Sequence, residues 1–119
     1  PTRDFSYVED TVKGFISALE CRTFIGETLN LGSNFEISIS DTVKTIAQIM
    51  GIEIMIEEDT LRIRPKNSEV ERLVCDNSKL ITKTSWRPQN ILEKGITKVI
   101  NWMKIRENLE VYKAMRYNV

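Results

Sequence analysis

The sequence predicts an α/β fold built from short strands and amphipathic helices. Apolar residues recur at intervals of three and four, as on one face of an α-helix, in three segments: 8–20, 41–50 and 91–105. Short apolar or alternating runs bounded by turn residues lie between these segments, as expected of strands. With 119 residues, of which 41% are hydrophobic and 29% charged, the chain is typical of one globular domain.

The first half of the chain is predicted to contain two helices and three strands. The first helix covers 8–20, with its apolar face formed by Val8, Val12, Phe15, Ile16 and Leu19. Strands are predicted at 28–31, 35–39 and 52–56. Ser40 is the candidate N-cap of the second helix, and Gly51 is its candidate C-cap.

The second half begins with a loop and ends with helices. Residues 58–71 are dense in charge and contain Pro65, so they are predicted to form a loop. A short strand is predicted at 72–75, and Asp76-Asn77-Ser78 can cap a short helix over 78–84. The last helix covers 91–105, and its apolar spacing continues through Leu109, Tyr112 and Met115.

The residue inventory excludes several kinds of site. The chain has no histidine, so Ser-His and Cys-His nucleophiles and the usual zinc sites are excluded. None of the five glycines forms a phosphate-binding Gly-rich loop. No apolar run or leader pattern indicates a membrane span or a secretory signal, and two cysteines are typical of the reducing cytoplasm. We therefore expect no catalytic residue, metal site or cofactor site in this chain.

Charge is distributed unevenly along a chain whose net charge is zero. Residues 1–60 hold 4 Lys/Arg and 11 Asp/Glu, whereas residues 61–119 hold 13 Lys/Arg and 6 Asp/Glu. The basic half could bind an anion such as a phosphate, but a nucleic-acid partner would favour a net positive domain. Most of these lysines are expected to solvate helix surfaces.

Two local motifs carry candidate binding residues. In the first, Arg3-Asp4, the aspartate could hold the guanidinium at the edge of a site. In the second, Arg64 precedes Pro65 and can project from an extended loop, where its planar fork suits two phosphate oxygens. Each arginine could equally be a solvated surface residue.

Five segments, in order, resemble the C-terminal substrate-binding part of NAD-dependent sugar-nucleotide epimerases and dehydratases, in the extended short-chain dehydrogenase/reductase family. They are similar to the family's R-D-[FWY]-x-Y/H-V-x-D, N-[IL]-G-[ST/G], R-P-x-x-S-E-V, D-x-[ST]-K…L-G-W-x-P and G-[LI]-x-x-[TV]-I-x-W patterns. In this chain they begin at Arg3, Asn30, Arg64, Asp76 and Gly95. Two departures are Thr84-Ser85 before Trp86 and Asn34 where many members have glycine.

The resemblance implies four substrate-binding residues for a nucleotide-diphosphate sugar. Arg3 would contact the diphosphate and Arg64 the phosphate or ribose. Asn30 would lie near the nucleotide, and Glu69 would accept hydrogen bonds from ribose hydroxyls. Phe5 and Tyr7 either line the sugar or base pocket or pack in the core. The Ser68-Glu69-Val70 sequence after Arg64-Pro65 favours a 4,6-dehydratase, with a 4-epimerase as the alternative and a stand-alone binding module as a further one.

The resemblance also implies that 1–119 is one C-terminal domain of a longer enzyme. The family's N-terminal NAD-binding domain and its Tyr-x-x-x-Lys pair are absent from the sequence, so we expect no turnover and no retained NAD from this fragment. We expect an exposed apolar face near Leu29 and Leu31, where the other domain would dock, and self-association through it or by exchange of the C-terminal helix.

Overall fold

The computed structural model describes residues 1–57 and 70–112. Five α-helices, two strands and one 3-10 turn lie in these ranges. In chain order they are β1 (Thr2–Asp4), α1 (Val8–Glu20), the 3-10 turn (Arg22–Phe24), β2 (Glu36–Ser38), α2 (Ile39–Met50), α3 (Ser78–Lys83), α4 (Leu92–Met103) and α5 (Arg106–Val111). The α/β class is confirmed. No helix in the described ranges is both long and apolar enough to cross a membrane.

The sheet consists of β1 and β2, which pair antiparallel with Arg3 opposite Ile37. Arg72 adds one parallel bridge to Thr2. In this bridge, Thr2 N donates to the Glu71 carbonyl and Leu73 N donates to the Thr2 carbonyl. The strand predicted at 35–39 is therefore confirmed in a shorter form, while the one at 72–75 is reduced to this single bridge. β1 was not predicted, because three residues are too few to show a strand pattern.

The strand predicted at 28–31 is wrong, and the run predicted at 52–56 pairs with no strand in the described part of the chain. A strand needs a neighbour whose N–H and C=O groups complete its ladder. No described segment pairs with either run. The apolar pattern of 28–31 reports burial of Leu29 and Leu31 against the core, which an extended segment can also achieve without sheet pairing. The apolar side chains of 52–56 are exposed.

The helices follow the apolar periodicity, with two corrections at their ends. α1 has the predicted bounds. α2 is capped by Ser38 and not by Ser40, because Ser38 has extended backbone and its Oγ accepts from Asp41 N at 2.9 Å. Gly51 is confirmed as its C-cap, with φ at +67°.

The last predicted helix divides into two. α4 ends at Met103, Ile105 is extended, and α5 begins at Arg106. The apolar spacing continues across this break, which is why one helix was predicted. Met115, the end of that pattern, lies outside the described residues.

The core is small and centres on Phe24, Leu80 and Trp86. Leu29 and Leu31 pack against it and are partly buried, so the expectation that they form an exposed docking face is wrong. Gly14 lets the segment of Leu31 approach α1 closely. A Cβ at position 14 would lie only 2.9 Å from Leu31 Cγ and 3.3 Å from Trp86 Cε2.

One exposed apolar surface lies on α1. Its five residues, named here the α1 surface, are 50% to 86% exposed: Val8, Val12, Phe15, Ile16 and Leu19. Asp10 and Gly14 face the opposite way and are buried. An amphipathic helix normally buries its apolar face, so α1 turns toward solvent the face that usually packs.

Candidate functional site

Arg3 lies on β1, where its guanidinium is oriented by backbone carbonyls. Arg3 Nη1 donates to the carbonyl oxygens of Thr2 and Val70, each at 2.7 Å. Val70 is the first described residue after 58–69. Two of the predicted site residues, Arg64 and Glu69, belong to that segment and lie outside the described residues. The structure therefore brings Arg3 to the point where that segment ends.

Asp4, the next residue on β1, binds elsewhere. Its carboxylate accepts from Ser33 N at 2.9 Å, Ser33 Oγ at 2.5 Å, Asn34 N at 2.9 Å and Cys75 N at 3.1 Å. Successive side chains of a strand point to opposite faces, so Asp4 turns away from Arg3. The expectation that Asp4 holds the Arg3 guanidinium is replaced by a different role, in which Asp4 joins two distant segments to β1.

Asn30 is exposed, on a segment whose ends are fixed. Before it, Lys79 Nζ donates to the Thr28 carbonyl at 3.0 Å. After it, the buried Asn77 donates through Nδ2 to the Gly32 carbonyl at 2.8 Å. Leu29 and Leu31 point into the core, so Asn30 between them points outward. The segment thus presents Asn30 to solvent close to the turn that Asp4 holds.

Glu36 and Arg72 form an ion pair across the sheet that sequence reasoning missed. Arg72 Nε donates to both carboxylate oxygens of Glu36 at 2.8 Å, its Nη2 donates as well, and Thr2 Oγ1 adds a bond at 2.8 Å. These bonds from Arg72 and then Thr2 lower the pKa of Glu36, and Glu36 in turn raises the pKa of Arg72. Arg72, which bridges to Thr2 next to Arg3, is therefore committed to a carboxylate.

Asp10 ends the first motif and is 2% exposed. Its Oδ2 accepts from Gln89 N at 3.1 Å and Asn90 N at 2.8 Å, and its Oδ1 accepts from Asn90 Nδ2 at 3.0 Å. Trp86 Nε1 donates to its carbonyl oxygen at 3.0 Å. Asp10 thus lies in the first turn of α1, where an acid favours the helix N-terminus, and it also joins α1 to the segment before α4.

A cavity in the described part of the chain lies away from Arg3 and Asn30. It measures about 580 Å³ and is lined mainly by apolar side chains of α2, α4 and α5. Phe5 and Tyr7 line it too, and Lys98 Nζ lies 4.8 Å from the centre of the Tyr7 ring. An apolar cavity suits packing better than a charged nucleotide, so it favours the core alternative for Phe5 and Tyr7.

The groups around β1 are suited to binding more than to proton transfer. Burial raises the pKa of the Cys75 thiol, and the nearby charges of Asp4 and Asp76 raise it further. The thiol therefore stays protonated at neutral pH and is a poor nucleophile. Within 1–57 and 70–112, no three Cys, Asp or Glu side chains converge as a metal site would require.

The sequence of this chain is similar to those of known nucleotide-sugar enzymes. Residues 1–99 match the family model of GDP-mannose 4,6 dehydratase. The human dTDP-D-glucose 4,6-dehydratase is 32% identical over 117 residues, which cover 94% of this chain and 32% of that protein. The UDP-glucuronate 4-epimerase of Thermodesulfobacterium geofontis is 28% identical over 115 residues, covering 96% of this chain and 33% of that protein.

A solved structure agrees in fold. The Bordetella bronchiseptica enzyme WbmF, crystallised with NAD+ and UDP, superposes with a TM-score of 0.69 at 32% identity, over 93% of this chain and 31% of WbmF. The chain thus spans about a third of the length of the proteins it matches. The ordered motifs, the fold and the family match agree, and the chain belongs to the GDP-mannose 4,6 dehydratase family of nucleotide-sugar dehydratases and epimerases, within the extended short-chain dehydrogenases/reductases.

Proposed function

We propose that residues 1–119 form the nucleotide-sugar-binding domain of an NAD-dependent nucleotide-sugar 4,6-dehydratase. The observation that carries this proposal is the convergence of three segments on β1. Arg3 lies on that strand and donates to the carbonyl of Val70, the residue that follows Glu69. Asp4, the next residue of the strand, accepts from the backbone of Ser33 and Asn34, in the segment that follows Asn30. The family match over 1–99 supports the same assignment.

In this proposal, the two arginines bind the diphosphate. A guanidinium carries five N–H donors in a planar fork that matches pairs of phosphate oxygens. The two carbonyls that accept from Arg3 Nη1 fix its orientation before a ligand arrives. Asn30 lies near the nucleotide, and Glu69 accepts from ribose hydroxyls. These roles give affinity and orientation, while the reacting sugar extends beyond this domain.

NAD belongs to the other part of the enzyme in this proposal. It would take a hydride from the sugar and return it after loss of water, and no residue of this chain is assigned to hold it. The two solved WbmF structures, with NADH and with NAD+ and UDP, support the same cofactor for the longer protein. The two free cysteines fit a reducing cytoplasmic compartment.

We infer that the α1 surface is the docking site for that NAD-binding domain. Five apolar side chains on one helix face exceed the scattered exposure usual for a monomer. We expect the isolated chain to self-associate through this surface, as measured by sedimentation. Ile16→Lys, which places a charge at its centre, should shift the chain toward the monomer, and Lys13→Ala on the polar side should not. A monomer at all concentrations would contradict this role of α1.

The experiment uses the enzyme expressed from the full reading frame that contains this chain, supplied with dTDP-, UDP- and GDP-sugars. A 4,6-dehydratase gives a 4-keto-6-deoxy sugar, whereas a 4-epimerase gives an isomer of unchanged mass, so mass spectrometry separates the two. The isolated 119-residue chain should neither turn over these sugars nor retain NAD. Turnover by the isolated chain would contradict the proposal.

Kinetics of arginine variants test the site. Each charge-assisted contact contributes about 1.5–3 kcal/mol, or about 10- to 150-fold in affinity. Arg3→Ala and Arg64→Ala should therefore raise KM strongly and change kcat less. Arg64→Lys should recover only part, because an ammonium cannot fork onto two oxygens. Arg106→Ala, on the exposed surface of α5, is the matched control. A KM within about twofold of the wild type would refute the assignment of that arginine.

A further inference from the structure

We propose that Asp4 is a positioning residue that holds the Arg3 and Asn30 sides of the binding site in register; this inference rests on the proposed function. Its carboxylate is the one point where β1, the 33–34 turn and the segment around Cys75 meet among the described residues. Two of these three segments carry or adjoin predicted substrate-binding residues. The third begins with Val70, whose carbonyl accepts from Arg3.

The geometry of the 33–34 turn favours a negatively charged group at the position of the Asp4 carboxylate. The amides of Ser33 and Asn34 are successive and both point at the Asp4 carboxylate, each at 2.9 Å. Asn34 has φ at +59°, in the left-handed region, which lets neighbouring amides converge on one anion. An internal carboxylate thus occupies the position that an external anion takes in comparable turns.

The packing leaves little freedom around this contact. A Cβ on the buried Gly32 would lie 2.8 Å from Cys75 Sγ and 3.2 Å from Asp4 Oδ2. The segment 28–31 has no sheet partner among the described residues, so side-chain hydrogen bonds and the packing of Leu29 and Leu31 determine its position. Its N-terminal end is held by Lys79 and its C-terminal end by Asn77 and Asp4. Loss of the Asp4 charge would therefore release one anchor of the Asn30 segment.

The same loss reaches Arg3 by a second route. Cys75 N donates to Asp4 Oδ2 at 3.1 Å, and the segment from Val70 to Cys75 carries the carbonyl that orients the Arg3 guanidinium. Asp4 and Arg3 are also neighbours on a strand of three residues. A shift of Asp4 therefore displaces Arg3 through the strand backbone and through the Val70 carbonyl, although the carboxylate itself touches no ligand in this arrangement.

The test measures the dissociation constants of UDP, dTDP and GDP by calorimetry on the full-reading-frame enzyme. Asp4→Asn replaces one acceptor oxygen by an amide donor that faces N–H groups, so we expect about 10-fold weaker binding. The matched control is Asp41→Asn, where a carboxylate binds Ser38 Oγ at 2.7 Å and Lys44 at the start of α2. That variant should stay within twofold of the wild type. Thermal melts of both variants separate stability from affinity.

A double variant tests whether Asp4 acts through Arg3. If it does, Asp4→Asn should weaken binding by less than about threefold in an Arg3→Ala background, because part of the route is already lost. If Asp4→Asn does not fold, Ser33→Ala removes one of the four donors with little change in shape. It should weaken binding by about two- to fivefold.

The outcomes separate this inference from the proposed function. If none of UDP, dTDP and GDP binds the wild type, or if Arg3→Ala has no effect, the proposed site is wrong and Asp4 has nothing to position. If Arg3→Ala weakens binding while Asp4→Asn and Ser33→Ala do not, the site stands and the inference is overturned. Equal losses from Asp4→Asn and Asp41→Asn would also overturn it, since that result indicates general destabilisation.

Discussion

Replacing Asp10 should destabilise the chain more than replacing any surface acid. Its carboxylate receives three N–H groups from Gln89 and Asn90, and it joins α1 to the segment before α4. Asp10→Asn keeps the shape but removes the charge. Hydrogen bonds to a charged group contribute about 1.5–3 kcal/mol and neutral ones about 0.5–1.5 kcal/mol. Weakening three bonds by about 1 kcal/mol each gives a loss of about 3 kcal/mol.

One detail of the site limits that loss. Asn90 Oδ1 is buried and has no hydrogen-bond partner among the described residues. In Asp10→Asn, the Asn90 amide can turn over so that this oxygen accepts from the new side-chain amide. Asp10→Ala offers no such exchange and leaves buried donors unpaired, at about 1–3 kcal/mol each. We therefore expect a loss of about 4 kcal/mol or more for Asp10→Ala, larger than for Asp10→Asn.

The assay is urea unfolding followed by the fluorescence of Trp86, whose indole bonds the Asp10 carbonyl. Trp102→Phe in every variant removes the second tryptophan signal. Asp41→Asn is the control and should lose less than about 1 kcal/mol, as expected for an exposed carboxylate that only supports the Ser38 cap. A loss below about 0.5 kcal/mol for Asp10→Asn, or a smaller loss for alanine than for asparagine, would refute the reasoning.

Three further variants test local features of the fold. Gly14→Ala gains about 1 kcal/mol of helix propensity but crowds Leu31, so we expect a net loss of about 1–2 kcal/mol in urea unfolding, and stabilisation would contradict the packing. Ile91→Ser supplies α4 with the side-chain cap it lacks and should add about 1 kcal/mol, seen as a higher melting temperature; an unchanged one would count against it. Because the pKa of Glu36 is lowered, its ion pair with Arg72 stabilises the fold above about pH 4.3 and is lost as pH falls further. Glu36→Gln should therefore flatten the acid limb of the stability curve, and an unchanged slope would show that the pair does not matter.

The helices could be predicted from the sequence, whereas most of the sheet could not. α1 has five apolar residues at helical spacing, a signal that depends only on residues close in the chain. The run at 28–31 has an equally apolar pattern, but whether it forms a strand depends on a distant segment that would pair with it. β1 forms because β2 lies 34 residues away and antiparallel to it, which no local pattern indicates.

The candidate site likewise has one part that the sequence predicts and another that it does not. The sequence motif identifies Arg3 as a candidate, and in the structure Arg3 bonds the carbonyl of Val70, the residue that follows Glu69. The role of Asp4 could not be predicted, because its partners lie 29 to 71 residues away. The pair of Glu36 and Arg72, 36 residues apart, was hidden for the same reason. Residue type indicates what a group can bind, and only the fold decides what it does bind.

The two aspartates of the first motif explain why α1 has an apolar outer surface. Asp4 fixes the strand before α1, and Asp10 with Gly14 fixes the inner face of the helix against Trp86 and the segment before α4. This polar and close-packed inner side already anchors α1, so the helix does not need its apolar side chains to hold it on this domain. Those side chains remain available for a second body. A helix bound on both faces is an interior helix, which is the position we propose for α1 in the longer enzyme.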